Sequence, residues 1–102
     1  MAISSIERRG SFYDLFDERG RKFKTMADTA GELLGWSSTF FILFRGSFYY
    51  IFNEFGERIA TLSSSFGTFV SITGDDFILR RGPYLYTFDK FGKRMGSPRP
   101  VR

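Results

Sequence analysis

Three arginines recur at a fixed interval and are the residues whose type and spacing best suit a chemical role. Arg9, Arg45 and Arg81 each stand directly before a glycine, and successive members are 36 residues apart. A guanidinium is always charged and offers several N–H donors in a rigid plane, which suits carboxylate and phosphate groups. Equivalent arginines could therefore form an anion-binding ring or stripe. The alternative is a structural arginine that bonds strand carbonyls or a turn carboxylate.

The basic end of the chain enlarges this candidate site. From Arg80 onward there are seven basic residues and one acidic residue, Asp89, although the net charge of the whole chain is only +4. Such an excess suggests an anionic partner, and nearby aromatic rings could stack on its groups. The predicted anion- or partner-binding residues are Arg9, Arg45, Arg80, Arg81, Tyr84, Tyr86, Lys93 and Arg94.

Catalytic and metal chemistry has little support in the residue types. The chain contains no cysteine and no histidine, which excludes disulfides, thiolate nucleophiles and imidazole ligands. Asp17, Asn53 and Asp89 each stand three residues before a glycine, a spacing that favours a turn over a calcium site. Asp75 and Asp76 are adjacent, so a turn role is favoured there as well. We expect no enzymatic activity, no metal and no cofactor.

The three arginines belong to a longer internal repeat. Residues 9–20, 45–56 and 81–92 align without gaps, with an aromatic-Asp/Asn-x-x-Gly core in each segment. Aromatic and β-branched runs separated by turn residues predict a β-meander in every copy. The prediction is a single domain over 1–96 with repeats at about 3–38, 39–74 and 75–96, followed by a basic, proline-containing tail at 97–102.

Two segments leave alternatives open at this stage. Residues 26–36 fit either a strand or a short amphipathic helix, and the alignment of Leu34 with Val70 favours the strand. The tail at 97–102 contains two prolines, which cannot join a central strand. We expect the tail to be either disordered or an edge segment.

The third copy resembles known propeller repeats. It reads GDDFIL at 74–79 and YLYTFDKFGKR at 84–94, which is similar to a blade of the quinoprotein (PQQ-like) propellers and to the YD repeats of RHS-type proteins. The resemblance implies a propeller-like fold. It implies no cofactor, because the quinone and calcium ligands have no counterpart here. The tryptophan that quinoprotein blades place after the glycine is replaced by Phe23, Ile59 and Met95.

The predicted fold class is therefore all-β, with two architectures open. Three tandem 36-residue β-meander repeats could be propeller blades, but propellers usually have about 4–8 blades. That interpretation needs oligomerisation, most simply two chains that form a homo-oligomer. The second architecture is a small closed β-barrel, which needs no partner.

The predicted function is that of a non-enzymatic, self-associating module that binds a protein partner. One alternative is a nucleic-acid-binding protein that uses the basic third copy against nucleic acid or another polyanion. A further alternative is a carbohydrate-binding lectin. The longest apolar run, at residues 40–44, is far shorter than the roughly 20 residues that a membrane span needs. With no basic-then-apolar signal at the N-terminus, we expect a cytoplasmic location.

Overall fold

The structure, a computed structural model, describes residues 2–101 and contains eleven β-strands joined by short turns. The predicted all-β class is confirmed. The strands are β1 (Ser5–Arg9), β2 (Phe12–Phe16), β3 (Lys22–Ala27), β4 (Glu32–Trp36), β5 (Phe40–Arg45), β6 (Phe48–Asn53), β7 (Arg58–Ser63), β8 (Thr68–Thr73), β9 (Asp76–Arg81), β10 (Tyr84–Asp89) and β11 (Arg94–Pro100).

The strands form three antiparallel sheets, each made from one continuous segment of chain. The first sheet has the order β1-β2-β3, the middle sheet β4-β5-β6-β7 and the last sheet β8-β9-β10-β11. Within residues 2–101 no strand of one sheet pairs with a strand of another, so every sheet keeps two open edges. The closed barrel, one of the two predicted architectures, is therefore wrong.

The tight turns within the sheets follow from the Asp/Asn-x-x-Gly spacing. The side-chain oxygen of Asn53 accepts hydrogen bonds from the backbone amides of Phe55 and Glu57 at 2.9 and 3.0 Å. The glycine at the fourth position has φ 78°, which residues with a Cβ rarely adopt. The same bonds form in the turns that begin with Asp17 and Asp89. All three residues thus have the predicted turn role.

Residues 26–36 do not form an α-helix. They contain the end of β3, one 3-10 turn at Asp28–Ala30 and the strand β4, in agreement with the favoured alternative. Gly31 separates the turn from the strand with φ 146°. A Cβ at this position would lie 3.0 Å from the Cβ of Leu43. The backbone at Gly31 therefore lies so close to β5 that a side chain would crowd it.

The sheets divide the chain one strand earlier than the predicted repeats. β4 pairs with β5, and β8 pairs with β9, in each case with the strand that follows it. Leu34 and Val70, which the alignment placed together, both lie at the irregularity of their strand pair. β4 and β8 are therefore the first strands of the middle and last sheets.

The C-terminal tail forms an edge strand. β11 pairs with β10, and its residues are exposed along their whole length. The register shifts between Leu85 and Thr87, opposite the stretch that contains Pro98. The irregularity and the open edge let the chain accommodate proline, which cannot donate a backbone hydrogen bond.

The core consists of two apolar layers, one on each face of the middle sheet. Residues that are opposite in an antiparallel pair share a face, and the two faces of the middle sheet pack against different neighbours. The layer shared with the first sheet contains Ile3, Ile6, Tyr13, Leu15, Phe41 and Leu43. The layer shared with the last sheet contains Phe40, Ile42, Tyr49, Ile51, Leu62, Phe77, Leu79 and Phe88. The three sheets are thus stacked in chain order.

The stack leaves one outward face at each end within residues 2–101. The first end face carries Ser5, Glu7, Arg9, Phe12, Asp14 and Phe16. The last end face carries Asp76, Ile78, Arg80, Leu85, Thr87 and Asp89. Near one edge of the stack β4 contacts β8, where a Cβ on Gly35 would lie 3.3 Å from the side chain of Ile72.

Candidate anion-binding site

The middle sheet brings two guanidinium groups onto one tyrosine ring. Arg45 ends β5 and Arg58 begins β7, while Tyr50 lies on β6 between them. The guanidinium carbons of Arg45 and Arg58 are 5.5 and 5.6 Å from the centroid of the Tyr50 ring. The electron-rich faces of an aromatic ring attract cations, so Tyr50 stabilises both guanidinium groups near its ring. We call these three residues the middle Arg–Tyr–Arg site.

A small pocket opens at the middle Arg–Tyr–Arg site, on the face of the middle sheet that packs against the first sheet. Its volume is about 190 Å³, and it is lined by Ala30, Arg45, Tyr50, Phe52 and Arg58. Within residues 2–101 neither arginine forms an ion pair, and the one hydrogen bond of Arg45 is a long contact of 3.5 Å to the carbonyl of Thr29. The pocket therefore offers two guanidinium groups whose charges no described carboxylate balances.

The last sheet repeats this arrangement. The guanidinium carbons of Arg81 and Arg94 lie 6.0 and 5.6 Å from the centroid of the Tyr86 ring. Tyr84 is exposed on the same face, directly opposite Arg81 in the β9–β10 register. The structure thus brings together Arg81, Tyr84, Tyr86 and Arg94 of the predicted site. We call Arg81, Tyr86 and Arg94 the last Arg–Tyr–Arg site.

The first sheet carries a carboxylate where the other two sheets carry the tyrosine. Asp14 stands opposite Glu7, as Tyr50 stands opposite Leu43. The Arg9 guanidinium donates two hydrogen bonds to Asp14, at 2.8 and 3.3 Å. This ion pair and a hydrogen bond from Thr25 hold the pKa of Asp14 below its usual range, although burial opposes the shift. Arg9 is therefore already neutralised within the chain.

Two predicted site residues lie apart from these clusters. Arg80 projects from the last end face, on the other side of the sheet from Arg81, and its Nε donates to the carbonyl of Gly82 at 3.2 Å. Lys93 is exposed beside the β10–β11 turn, where its backbone amide bonds Asp89. Neither residue is brought to the Tyr86 ring.

Sequence analysis did not select Arg58 and Tyr50, which belong to the middle Arg–Tyr–Arg site. The signal was present, because they stand 36 residues before Arg94 and Tyr86, two predicted site residues. The excess of basic residues lies in the last copy and does not mark the middle copy. Aligning every column of the repeat would have identified both residues.

A second pocket, larger than the first, has no charged lining. It lies between the middle and last sheets, has a volume of about 440 Å³ and is open to solvent. It is lined by Leu34, Phe44, Tyr49, Ser64, Gly67, Thr68 and Phe69. None of the predicted site residues lines it.

The described residues contain no group of three or more acidic side chains arranged to hold a metal ion. No helix within residues 2–101 has the length and apolar character needed to cross a bilayer. Neither a protein-family model, nor a curated protein, nor a solved structure matches this chain.

Proposed function

We propose that this protein is a non-enzymatic binding module that recognises an acidic segment of a protein partner through its two Arg–Tyr–Arg sites. The main support for this proposal is the ion pair between Arg9 and Asp14. In that pair the first arginine of the repeated column binds a carboxylate with two hydrogen bonds. Arg45 and Arg81 occupy the corresponding positions in their sheets and have no carboxylate partner within residues 2–101.

A carboxylate from a partner would supply at each site what Asp14 supplies to Arg9. A planar carboxylate matches the fork of N–H donors on a guanidinium better than a single point charge does. Packed sheets are about 10 Å apart. A peptide in the polyproline II conformation has three residues per turn and advances about 3.1 Å per residue. Acidic residues spaced three apart would then lie on one face of the peptide, about 9 Å from each other, and would reach both sites together.

The proposal includes the propeller-like architecture that the sequence resemblance implies. Corresponding residues recur in matching surroundings: Gly31 and Gly67 have φ 146° and 145°, and each accepts a tyrosine hydroxyl, from Tyr13 and Tyr49. The sheets stack face to face, as blades do, and the first strands of adjacent sheets meet at β4 and β8. These features support an array of blade-like repeats, which would present the two sites side by side.

Fluorescence anisotropy with a labelled acidic peptide tests the proposal. The peptide carries glutamate at every third position, and the probe variants are Arg45→Gln with Arg58→Gln, and Arg81→Gln with Arg94→Gln. We expect each pair of substitutions to weaken binding about tenfold, because a charge-assisted hydrogen bond contributes about 1.5–3 kcal/mol. The matched control is Arg19→Gln, an exposed arginine on the β2–β3 turn.

Two outcomes would contradict the proposal. One is a peptide affinity that the site substitutions leave unchanged. The other is tighter binding of a single-stranded oligonucleotide of equal charge, with an affinity that falls steeply with salt. The second outcome would favour the predicted nucleic-acid alternative, in which Tyr84 and Tyr86 would stack on bases.

A further inference from the structure

The first end face is polar at positions where the interior of the stack is apolar. Glu7 stands opposite Asp14 in the β1–β2 register. The corresponding pair is Leu43 opposite Tyr50 in the middle sheet and Leu79 opposite Tyr86 in the last sheet. Leu43 and Leu79 are completely buried against the neighbouring sheet, whereas Glu7 is exposed.

The last end face shows matching changes of opposite charge. Arg80 stands opposite Leu85 in the β9–β10 register, at the place where the middle sheet has Phe44 opposite Tyr49. Phe44 packs on the apolar layer that contains Leu79. Where the middle sheet stacks on the last sheet, the side chain of Phe44 therefore packs against the layer that contains Leu79. On the two end faces these positions hold arginine and glutamate.

We propose that the last end face stacks on the first end face of a second copy of this chain, with Arg80 of one copy facing Glu7 of the other. The stacking would repeat the relation that the middle and last sheets have within the chain. In the new contact a cation and an anion take the places of Phe44 and Leu79. Complementary charges of this kind select the partner face and fix its register.

Both charges are available for this contact. Arg80 and Glu7 are exposed, and within residues 2–101 neither forms an ion pair. Arg8, which precedes Arg80 by 72 residues, shows that an arginine in this column can reach a carboxylate. Its guanidinium lies 2.7 Å from the carboxylate of Asp28.

The last end face lacks the donor of a hydrogen bond that joins neighbouring sheets elsewhere in the stack. Within the chain, the Tyr13 hydroxyl donates to the carbonyl of Gly31 and the Tyr49 hydroxyl to that of Gly67, just before β4 and β8. The corresponding residue of the last sheet is Leu85, which has no hydroxyl. The last end face can therefore be covered without burying an unpaired tyrosine hydroxyl at this position.

The second copy fits these faces better than an unrelated partner does. The two faces differ from each other, so the contact joins unlike surfaces of identical chains. Two chains would bring six sheets together, which lies within the usual range of about 4–8 blades in a closed propeller. Closure would leave neither end face exposed.

Sedimentation velocity of the full chain at about 50 mM salt tests this contact. We expect the unmodified chain to form a dimer, and Arg80→Glu or Glu7→Arg alone to weaken it by about tenfold or more through like-charge repulsion. An equimolar mixture of the two variants should restore the dimer, because every contact then pairs opposite charges. The matched control is Glu54→Arg, on the β6–β7 turn away from both end faces.

Each result of this experiment decides the proposal. A monomer for the unmodified chain at about 100 µM, far above the Kd of a specific homodimer, would overturn it. Equal dimerisation of Arg80→Glu and the unmodified chain would also overturn it, as would a mixture that stays monomeric while both variants keep a native circular dichroism spectrum. These substitutions leave both Arg–Tyr–Arg sites intact, so peptide binding can fail or succeed independently.

Discussion

The tyrosine hydroxyls between the sheets provide a sharp test of how the stack is held together. The Tyr13 hydroxyl donates to the Gly31 carbonyl at 2.8 Å and accepts from the amide of Leu33 at 3.2 Å, so it bridges the first and middle sheets. The Tyr49 hydroxyl donates to the Gly67 carbonyl at 2.6 Å and bridges the middle and last sheets. Burial raises the pKa of Tyr49, as expected for a phenol shielded from water.

Substitution by phenylalanine removes only the hydroxyl and keeps the ring in the core. A buried group that loses its hydrogen-bond partner destabilises the fold by about 1–3 kcal/mol. Tyr49→Phe leaves the Gly67 carbonyl without its donor and also removes a weaker contact from the Phe69 amide, so we expect a loss of about 1–2 kcal/mol. Tyr13→Phe leaves a carbonyl and an amide, so we expect about 2–3 kcal/mol. The Tyr84 ring is 45% exposed and its hydroxyl makes no hydrogen bond to the described residues. Tyr84→Phe should therefore stay within about 0.5 kcal/mol.

Urea unfolding followed by circular dichroism measures these differences. In a domain of this size 1 kcal/mol corresponds to a shift of about 4–8 °C in Tm, so thermal melts provide a second readout. The expected order of destabilisation is Tyr13→Phe, then Tyr49→Phe, then Tyr84→Phe. If the two buried variants unfolded at the same urea concentration as Tyr84→Phe, the hydroxyl bridges would contribute nothing to the stack and the reasoning would be refuted.

Two further predictions concern the turns and a close backbone approach. Two backbone amides hold the pKa of Asp17 below its usual value of about 3.9. The ionised Asp17 therefore stabilises the fold at pH values above about 3.9, and this stabilisation is lost as the pH falls through the lower pKa of the folded state. Asp17→Asn should keep the turn, as Asn53 does, and reduce the loss of urea resistance between pH 5 and pH 3; an unchanged pH profile would contradict this. Gly67→Ala places a Cβ 2.8 Å from the Arg80 carbonyl at φ 145°, so we expect it to destabilise the fold by about 2 kcal/mol or more. An added Cβ at Gly10 has no atom within 4 Å, so Gly10→Ala should destabilise the fold by only about 1 kcal/mol. Equal losses of Tm for the two glycine variants would show that crowding at Gly67 is unimportant.

The strands and turns of this fold could be predicted because they depend on neighbours in the sequence. Asp17, Asn53 and Asp89 shape their turns through their own backbone amides, and alternating aromatic residues mark the strands between them. The assignment of β4 to the middle sheet could not be predicted in this way. A strand between two meanders can pair with either, and the sequence pattern alone does not distinguish them; in the structure Gly31 allows the close approach to β5 that accompanies the pairing of β4 with β5.

Only part of the candidate site could be predicted from the sequence, because the rest depends on which residues the strand pairing brings together. The arginine column was visible as a fixed spacing, but the role of each arginine depends on the residue across the strand pair. Asp14 neutralises Arg9, whereas Tyr50 and Tyr86 hold two cations each. Which arginines remain available therefore depends on sheet register, which the spacing alone does not contain.

The contiguity of each sheet also bears on how the chain folds. Every strand pairs only with its neighbours in sequence, so loop closure is inexpensive and contact order is low for an all-β protein. A nascent chain can complete the first sheet before the residues of the last sheet are synthesised. The chain is then most prone to aggregation, because the middle sheet has formed its apolar surface around Phe40 and Ile51 while Phe77 and Phe88 do not yet cover that surface. Aggregation during synthesis should therefore be most sensitive to changes that delay the last sheet.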